Sequence, residues 1–209
     1  MADPATGAIR SGRPRVASRA ELERIGFALF ERQGFEETTV DDIAAAAGIG
    51  RRTFFRYFAS KNDLVWGEFE EQLSRLQILL DEVPADVPMM DAIRHAVIEF
   101  NRFDSHVVPW HRRRMELILR VPALRADSTL RYTSWQKLIT QFIAARTGRP
   151  ADGPVPRLAG NLALTTSVTA YELWLEDSSA DLTELLDTLF TRLAGAFRDI
   201  PELPTGTPA

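Results

Sequence analysis

The sequence predicts an all-α protein of about nine helices, and three observations lead to that class. Apolar residues recur at helical spacing along most of the chain, strand-like alternation is nearly absent, and capping signals alternate with Gly and Pro where helix ends are wanted. The 209 residues, 45% hydrophobic and 26% charged, suffice for one or two domains with a sizeable core.

Ser18-Arg19-Ala20-Glu21 has the form of a capping box and opens a helix carrying Leu22, Ile25, Leu29 and Phe30 on one side. Gly34 ends it where a left-handed residue is wanted, with Phe35 able to pack back onto it. Thr39-Val40-Asp41-Asp42 caps a short second helix that stops at Gly48, and a third runs from about Arg51 to Phe58. Ser60-Lys61-Asn62-Asp63 caps a fourth, expected to be long and rigid and to reach about Glu82. Pro84 and Pro88 mark a connector, after which apolar periodicity returns over Met89–Phe103 and Val108–Leu119. Pro122 suits the first turn of a helix continuing to Arg146 and ending at Gly148. Gly153, Pro154 and Pro156 separate it from a helix over Arg157–Glu176, and Asp181-Leu182-Thr183-Glu184 caps the last. The tail from Pro201 has three prolines and no periodicity, and is expected to be disordered with the first dozen residues.

The net charge of −4 is unevenly spread. Residues 1–66 hold ten basic residues against nine acidic ones, and the rest of the chain fifteen against twenty. From Ile43 through Asn62 there is no acidic residue, while Arg51, Arg52, Arg56 and Lys61 are basic. Local field rather than net charge decides what a surface attracts, so this window asks for an anionic partner. Cysteine is absent, which removes disulfides and thiolate chemistry. No apolar run suggests a membrane span and no signal peptide is read, so a cytoplasmic protein is expected.

Helix, tight turn and basic helix is the arrangement that sets a helix end against base edges in the major groove of DNA. Gly48 permits the turn, and Ile43, Ala47, Ile49 and Phe54 would lock the two helices together. Arg51, Arg52 and Thr53 would then face base edges, where arginine takes guanine O6 and N7 with two hydrogen bonds. Arg56, Tyr57, Lys61 and Thr39 suit phosphates, together with amides at the starts of helices two and four. Arg13 and Arg15 flank Pro14 in an arm that could reach a minor groove or the backbone.

The run ALFERQGFEETTVDDIAAAAGIGRRTFFRYFASKNDLVW resembles the DNA-binding domain of TetR/AcrR transcriptional regulators. Phe30, Gly34-Phe35, Thr38-Thr39-Val40, Ile43-Ala44, Ala47-Gly48-Ile49, Thr53, Phe58, Ser60-Lys61 and Leu64 carry the match. The resemblance implies an all-helical homodimer, double-stranded operator DNA with two-fold symmetry, a small-molecule effector, and repression as the common mode. It divides the chain into a flexible arm (1–16), a helix-turn-helix domain (17–64), an effector-binding and dimerisation domain (65–199) and a tail (200–209). Gly50 stands where the family often has a Ser or Thr cap, Phe55 where a phosphate-binding tyrosine is frequent, and Arg52 where glycine or proline is common.

The segments VPWHRRRMELILRVPAL, STLRYTSWQ, TGRPAD and YELWL are similar to the mycofactocin-system subgroup of that family, with which acyl-coenzyme A effectors are associated. Phe103, Trp110, Met115, Leu119, Trp135, Phe142, Tyr171 and Trp174 would line an effector cavity, or serve as plain core. Arg112, Arg113 and Arg114 could receive the phosphates of coenzyme A, or lie in a solvated turn. Leu158, Leu162, Val168, Leu185, Leu189 and Leu193 are read as a two-helix dimer face, with ordinary core as the alternative.

Competing readings are a multidrug- or lipid-responsive regulator of another operon, a protein-binding helical adaptor, and a helical enzyme. His95, His106, His111 and Glu116 form the one imaginable catalytic or metal constellation, and the five-residue spacing of the latter two histidines does not place them on one helix face. No cofactor or metal is expected.

Overall fold

Ten helices and no strand occupy the described residues, 18–196, of the computed structural model. The expected arm with Arg13 and Arg15, and the expected tail, lie outside those residues. The helices are α1 (Arg19–Gln33), α2 (Val40–Ala46), α3 (Arg51–Phe54), α4 (Lys61–Trp66) and α5 (Phe69–Asp81), then α6 (Met89–Phe100), α7 (Val108–Arg120), α8 (Pro122–Thr147), α9 (Pro154–Glu176) and α10 (Leu182–Ala196).

The tenth helix arises because the expected fourth one is broken. α4 stops at Trp66, and Gly67 follows at φ 62°, ψ −133°, a backbone conformation that side-chain-bearing residues rarely adopt. Arg19 of α1 fixes the break by donating to the Gly67 carbonyl at 3.0 Å and to the Tyr57 carbonyl at 2.8 Å. Its guanidinium also lies 4.4 Å from the centre of the Phe58 ring. The continuous helix from Lys61 to Glu82 is therefore corrected to two, and the chain divides there into two compact units, Met1–Gly67 and Glu68–Ala209.

In the first unit the local signals act as their chemistry requires. Ser18 Oγ accepts from the Glu21 amide at 3.1 Å, Gly34 adopts φ 89°, and the Phe35 ring packs back at 5.0 Å from Phe30. Leu22, Phe27, Phe30, Ile43, Phe54, Phe58 and Leu64 are buried together as its apolar interior. α1 and α4 meet at Gly26, where an added Cβ would stand 2.8 Å from Leu64 Cδ2.

In the second unit the two longest helices, α8 and α9, pack against each other, α10 packs on α9 and α6, and α7 lies against α8 and α9. Their close approach depends on Gly160, where a Cβ would come within 2.7 Å of Thr140 Cγ2. α9 begins three residues before the expected start, because Pro154 and Pro156 fit a first turn whose amides need no partner. α8 ends as expected at Gly148, which is left-handed at φ 65°. α6 ends at Phe100 instead of Phe103, and the buried Asn101 donates its Nδ2 to the Val97 carbonyl at 2.8 Å. Leu80, Ile93, Val97, Ile139, Leu186 and Phe190 occupy the centre of the core.

Candidate functional site

The α2–α3 turn is set by backbone chemistry. Gly48 takes φ 67°, and the amides of Gly48 and Ile49 donate back to the Ala45 and Ala44 carbonyls at 3.0 and 2.9 Å. α3 has one regular turn and then tightens, with Arg56 and Tyr57 amides reaching the Thr53 and Phe54 carbonyls three residues back. Phe54 and Phe58 point into the core, which leaves Arg51, Arg52, Phe55 and Arg56 exposed on the opposite face. Thr53 and Tyr57 are half-buried beside them. Gly50 precedes the helix with no side chain to cap it.

Three expected contact residues, Arg51, Thr39 and Lys61, acquire specific surroundings. Arg51 Nη1 donates to Asp41 Oδ2 at 2.6 Å, and its guanidinium lies 5.5 Å from the Phe55 ring centre. Thr39 belongs to a closed capping box: its amide and hydroxyl donate to Asp42 Oδ2 at 2.9 and 2.7 Å, and its Oγ1 accepts from the Asp42 amide. These bonds hold the Asp42 carboxyl below the usual carboxylate range. Ser60 likewise accepts from the Asp63 amide at 3.1 Å, so α2 and α4 each bring a side-chain oxygen of their own to an N-terminal amide.

Lys61 departs furthest from the phosphate-anchoring expectation. Its ammonium donates to the carbonyls of Phe35 at 2.6 Å and Thr38 at 2.9 Å, and sits 4.1 Å from the Phe35 ring centre. Partial burial lowers its pKa, against the opposing pull of Glu36 and Glu37. In this structure its charge ties α4 to the loop after α1.

The second unit contains a polar chain set among aromatic rings. Tyr171 Oη donates to Asn101 Oδ1, and His111 Nε2 lies 2.9 Å from Tyr171 Oη. With the tyrosine proton directed to Asn101, His111 completes the chain as the neutral tautomer that donates from Nε2. The imidazole is 4.1 Å from Phe103 and 6.0 Å from Trp174 by ring centres. Burial, and secondarily the charge of Arg114, depresses its pKa to about 3. Burial moves the Tyr171 phenol the other way, far up.

Of the expected cavity residues, Phe103, Tyr171 and Trp174 meet around His111, which the sequence offered only in an imaginable catalytic or metal constellation and not as a cavity residue. Trp135 and Phe142 are core, and Phe142 is stacked by Arg146, which clamps the α5–α6 connector through the Val83, Pro84 and Val87 carbonyls. Trp110, Met115 and Leu119 are half-buried on α7. Of the three arginines expected to receive phosphates, Arg112 is engaged at the end of α9. It lies over the Trp174 ring at 4.1 Å and donates to the Trp174 and Asp177 carbonyls, while Arg113 is exposed. Of the expected dimer-face leucines, Leu185 and Leu189 pack on the unit's own core and Leu158 is exposed.

Residues 25–65 match the family model described as bacterial regulatory proteins, tetR family, and residues 87–198 match the MftR C-terminal domain. The chain belongs to the TetR family of bacterial transcriptional regulators. It is 41% identical over 181 residues to a Mycobacterium tuberculosis protein named as a mycofactocin biosynthesis transcriptional regulator, MftR, covering 87% of this chain and 91% of that one. The fold is shared with Thermus thermophilus FadR, a TetR-family repressor solved with lauroyl-CoA (TM-score 0.55, 21% identity, 91% and 100% of the two chains). It is shared also with Bacillus subtilis FadR solved with stearoyl-CoA (TM-score 0.59, 17% identity, 84% and 97%). As a TetR-family protein of the MftR type, the chain is a DNA-binding transcriptional regulator and not an enzyme. No helix among the described residues is long and apolar enough to cross a membrane.

Proposed function

We propose that this TetR-family regulator binds a two-fold symmetric operator as a homodimer, represses genes connected with mycofactocin, and is released by a long-chain acyl-coenzyme A. The unit ending at Gly67 reads DNA and the unit from Glu68 onward holds the effector and the second copy. Exposure of Arg51 and Arg52 on α3 and of Arg56 in the tightened turn after it, behind a turn fixed by Gly48, carries the DNA-reading part. Arg51, Arg52 and Thr53 face bases, and Arg56 and Tyr57 face the backbone.

Support for an acyl-coenzyme A comes from the acyl-CoA complexes of the two FadR structures. The ring cluster of Phe103, His111, Tyr171 and Trp174 gives that ligand an apolar surface with one polar chain inside it. Arg112 is engaged with the end of α9, so the proposed phosphate site draws chiefly on Arg113 and Arg114. Exposed Leu158 and Leu173 on α9 favour that helix as the dimer face.

Footprinting the DNA upstream of the protein's own gene, with and without palmitoyl-coenzyme A, tests the reading. A protected palindrome that is released by palmitoyl-coenzyme A is expected. A footprint indifferent to it removes the effector, and no footprint at all removes the operator.

A further inference from the structure

We infer that Asp41 and Phe55 are positioning residues for base reading: they fix Arg51 in place, while Arg52 stays free to adapt. The inference rests on the proposal that α3 reads DNA. Arg51 and Asp41 are 60% and 61% exposed, so their 2.6 Å ion pair stands in solvent on the reading side of the α2–α3 turn. The Phe55 ring, 43% exposed, lies beside the same guanidinium. A large apolar side chain held open to water needs a reason, and here its ring face supports a cation. Arg52, one residue on, is exposed and has no ion pair with any described residue.

A guanidinium has five N–H donors in a rigid plane. One donor faces Asp41, and the others remain for a guanine edge, which takes two. Holding the plane before DNA arrives removes rotamer freedom that would otherwise be lost on binding. The carboxylate has a second effect. It cancels the charge of Arg51 at long range, so this arginine adds little to the sequence-independent attraction for phosphates. Asp41 therefore gives up general affinity and sharpens selectivity for the base that Arg51 meets.

Sequencing the bound fraction of a randomised duplex library, with the full-length protein and its Asp41→Asn, Phe55→Ala, Arg51→Ala and Arg52→Ala variants, tests this. Arg51→Ala should erase preference at one base pair of each half-site. Asp41→Asn and Phe55→Ala should weaken preference at that same base pair by about two- to fivefold, the range an exposed ion pair can supply. Preference at the Arg52 position should stay intact. Asp41→Asn should also tighten binding to a random duplex, whereas a merely structural defect would weaken every site. Unchanged preference in both Asp41→Asn and Phe55→Ala, or uniform weakening across positions, would overturn the inference. If neither Arg51→Ala nor Arg52→Ala altered any preference, the reading role of α3 itself would fail, a result distinct from failure of the positioning role alone.

Discussion

His111 should make the second unit sensitive to mild acid. Its imidazole is buried among Phe103, Tyr171 and Trp174 and titrates at about 3, whereas an exposed histidine in the unfolded chain titrates near 6.5. The folded pKa is the lower one, so the unfolded state binds the extra proton first. Stability is then fully present above pH 6.5 and is lost as pH falls toward 3. Between pH 7 and pH 5 the loss from this one group is about 2 kcal/mol, a large part of the ~5–15 kcal/mol that typically separates folded from unfolded protein. The shifted carboxylates Asp42, Glu99, Asp177 and Asp181 are all lowered, so their contribution is lost below their ordinary range, outside this window.

His111→Phe keeps a ring for stacking and removes the titrating group. Urea unfolding at fixed protein concentration, followed by tryptophan fluorescence at pH 7, 6 and 5, reads mainly the second unit. Three of the four tryptophans, Trp110, Trp135 and Trp174, lie in it, and Trp66 alone lies in the first, where it contributes equally to wild type and variant. Wild type should lose about 2 kcal/mol more than the variant over that range. Equal pH slopes would refute the claim that His111 is held neutral by burial.

Gly50→Ser should raise the melting temperature of the first unit, by about 0.5–1 kcal/mol of added stability. The position already has extended cap geometry, no atom lies within 4 Å of an added Cβ, and the change also stiffens the unfolded chain. Lys61→Met should cost that unit about 1–3 kcal/mol by stripping the Phe35 and Thr38 carbonyls of their donor. Calorimetry reads the loss, and if DNA affinity fell without any loss of stability, Lys61 would be a phosphate anchor after all. Gly160→Ala should destabilise the second unit by about 1–3 kcal/mol, since the new methyl would meet Thr140 Cγ2 at 2.7 Å and the Gln136 carbonyl at 3.3 Å. A neutral result in thermal unfolding would mean that α8 and α9 separate freely there.

What could be read directly from the sequence was local. Ser18, Gly34, Thr39, Gly48 and Gly148 announce helix ends because each meets its partners within a few residues, and the structure uses all five in that way. The break at Gly67 was not legible. A lone glycine inside an apolar period costs a helix only about 1 kcal/mol, and the decisive contact comes from Arg19, 48 residues earlier. Lys61 escaped for the same reason, as its carbonyl partners lie 23 to 26 residues back. Arg51 was legible as a basic residue but not as the partner of Asp41 across the turn. The His111–Tyr171–Asn101 chain joins α7, α9 and the end of α6, and no spacing in the sequence could announce it.

Affinity for the DNA upstream of its own gene, against a random duplex of equal length and across a salt series, addresses the central claim for wild type and Arg52→Ala. Wild type should prefer the upstream fragment at every salt concentration, with log affinity falling steeply against log salt. Arg52→Ala should lose part of that preference, about 1–3 kcal/mol for each half-site, while still binding both duplexes. Equal affinity of wild type for the two fragments at moderate salt would contradict the claim that the exposed arginines of α3 read sequence.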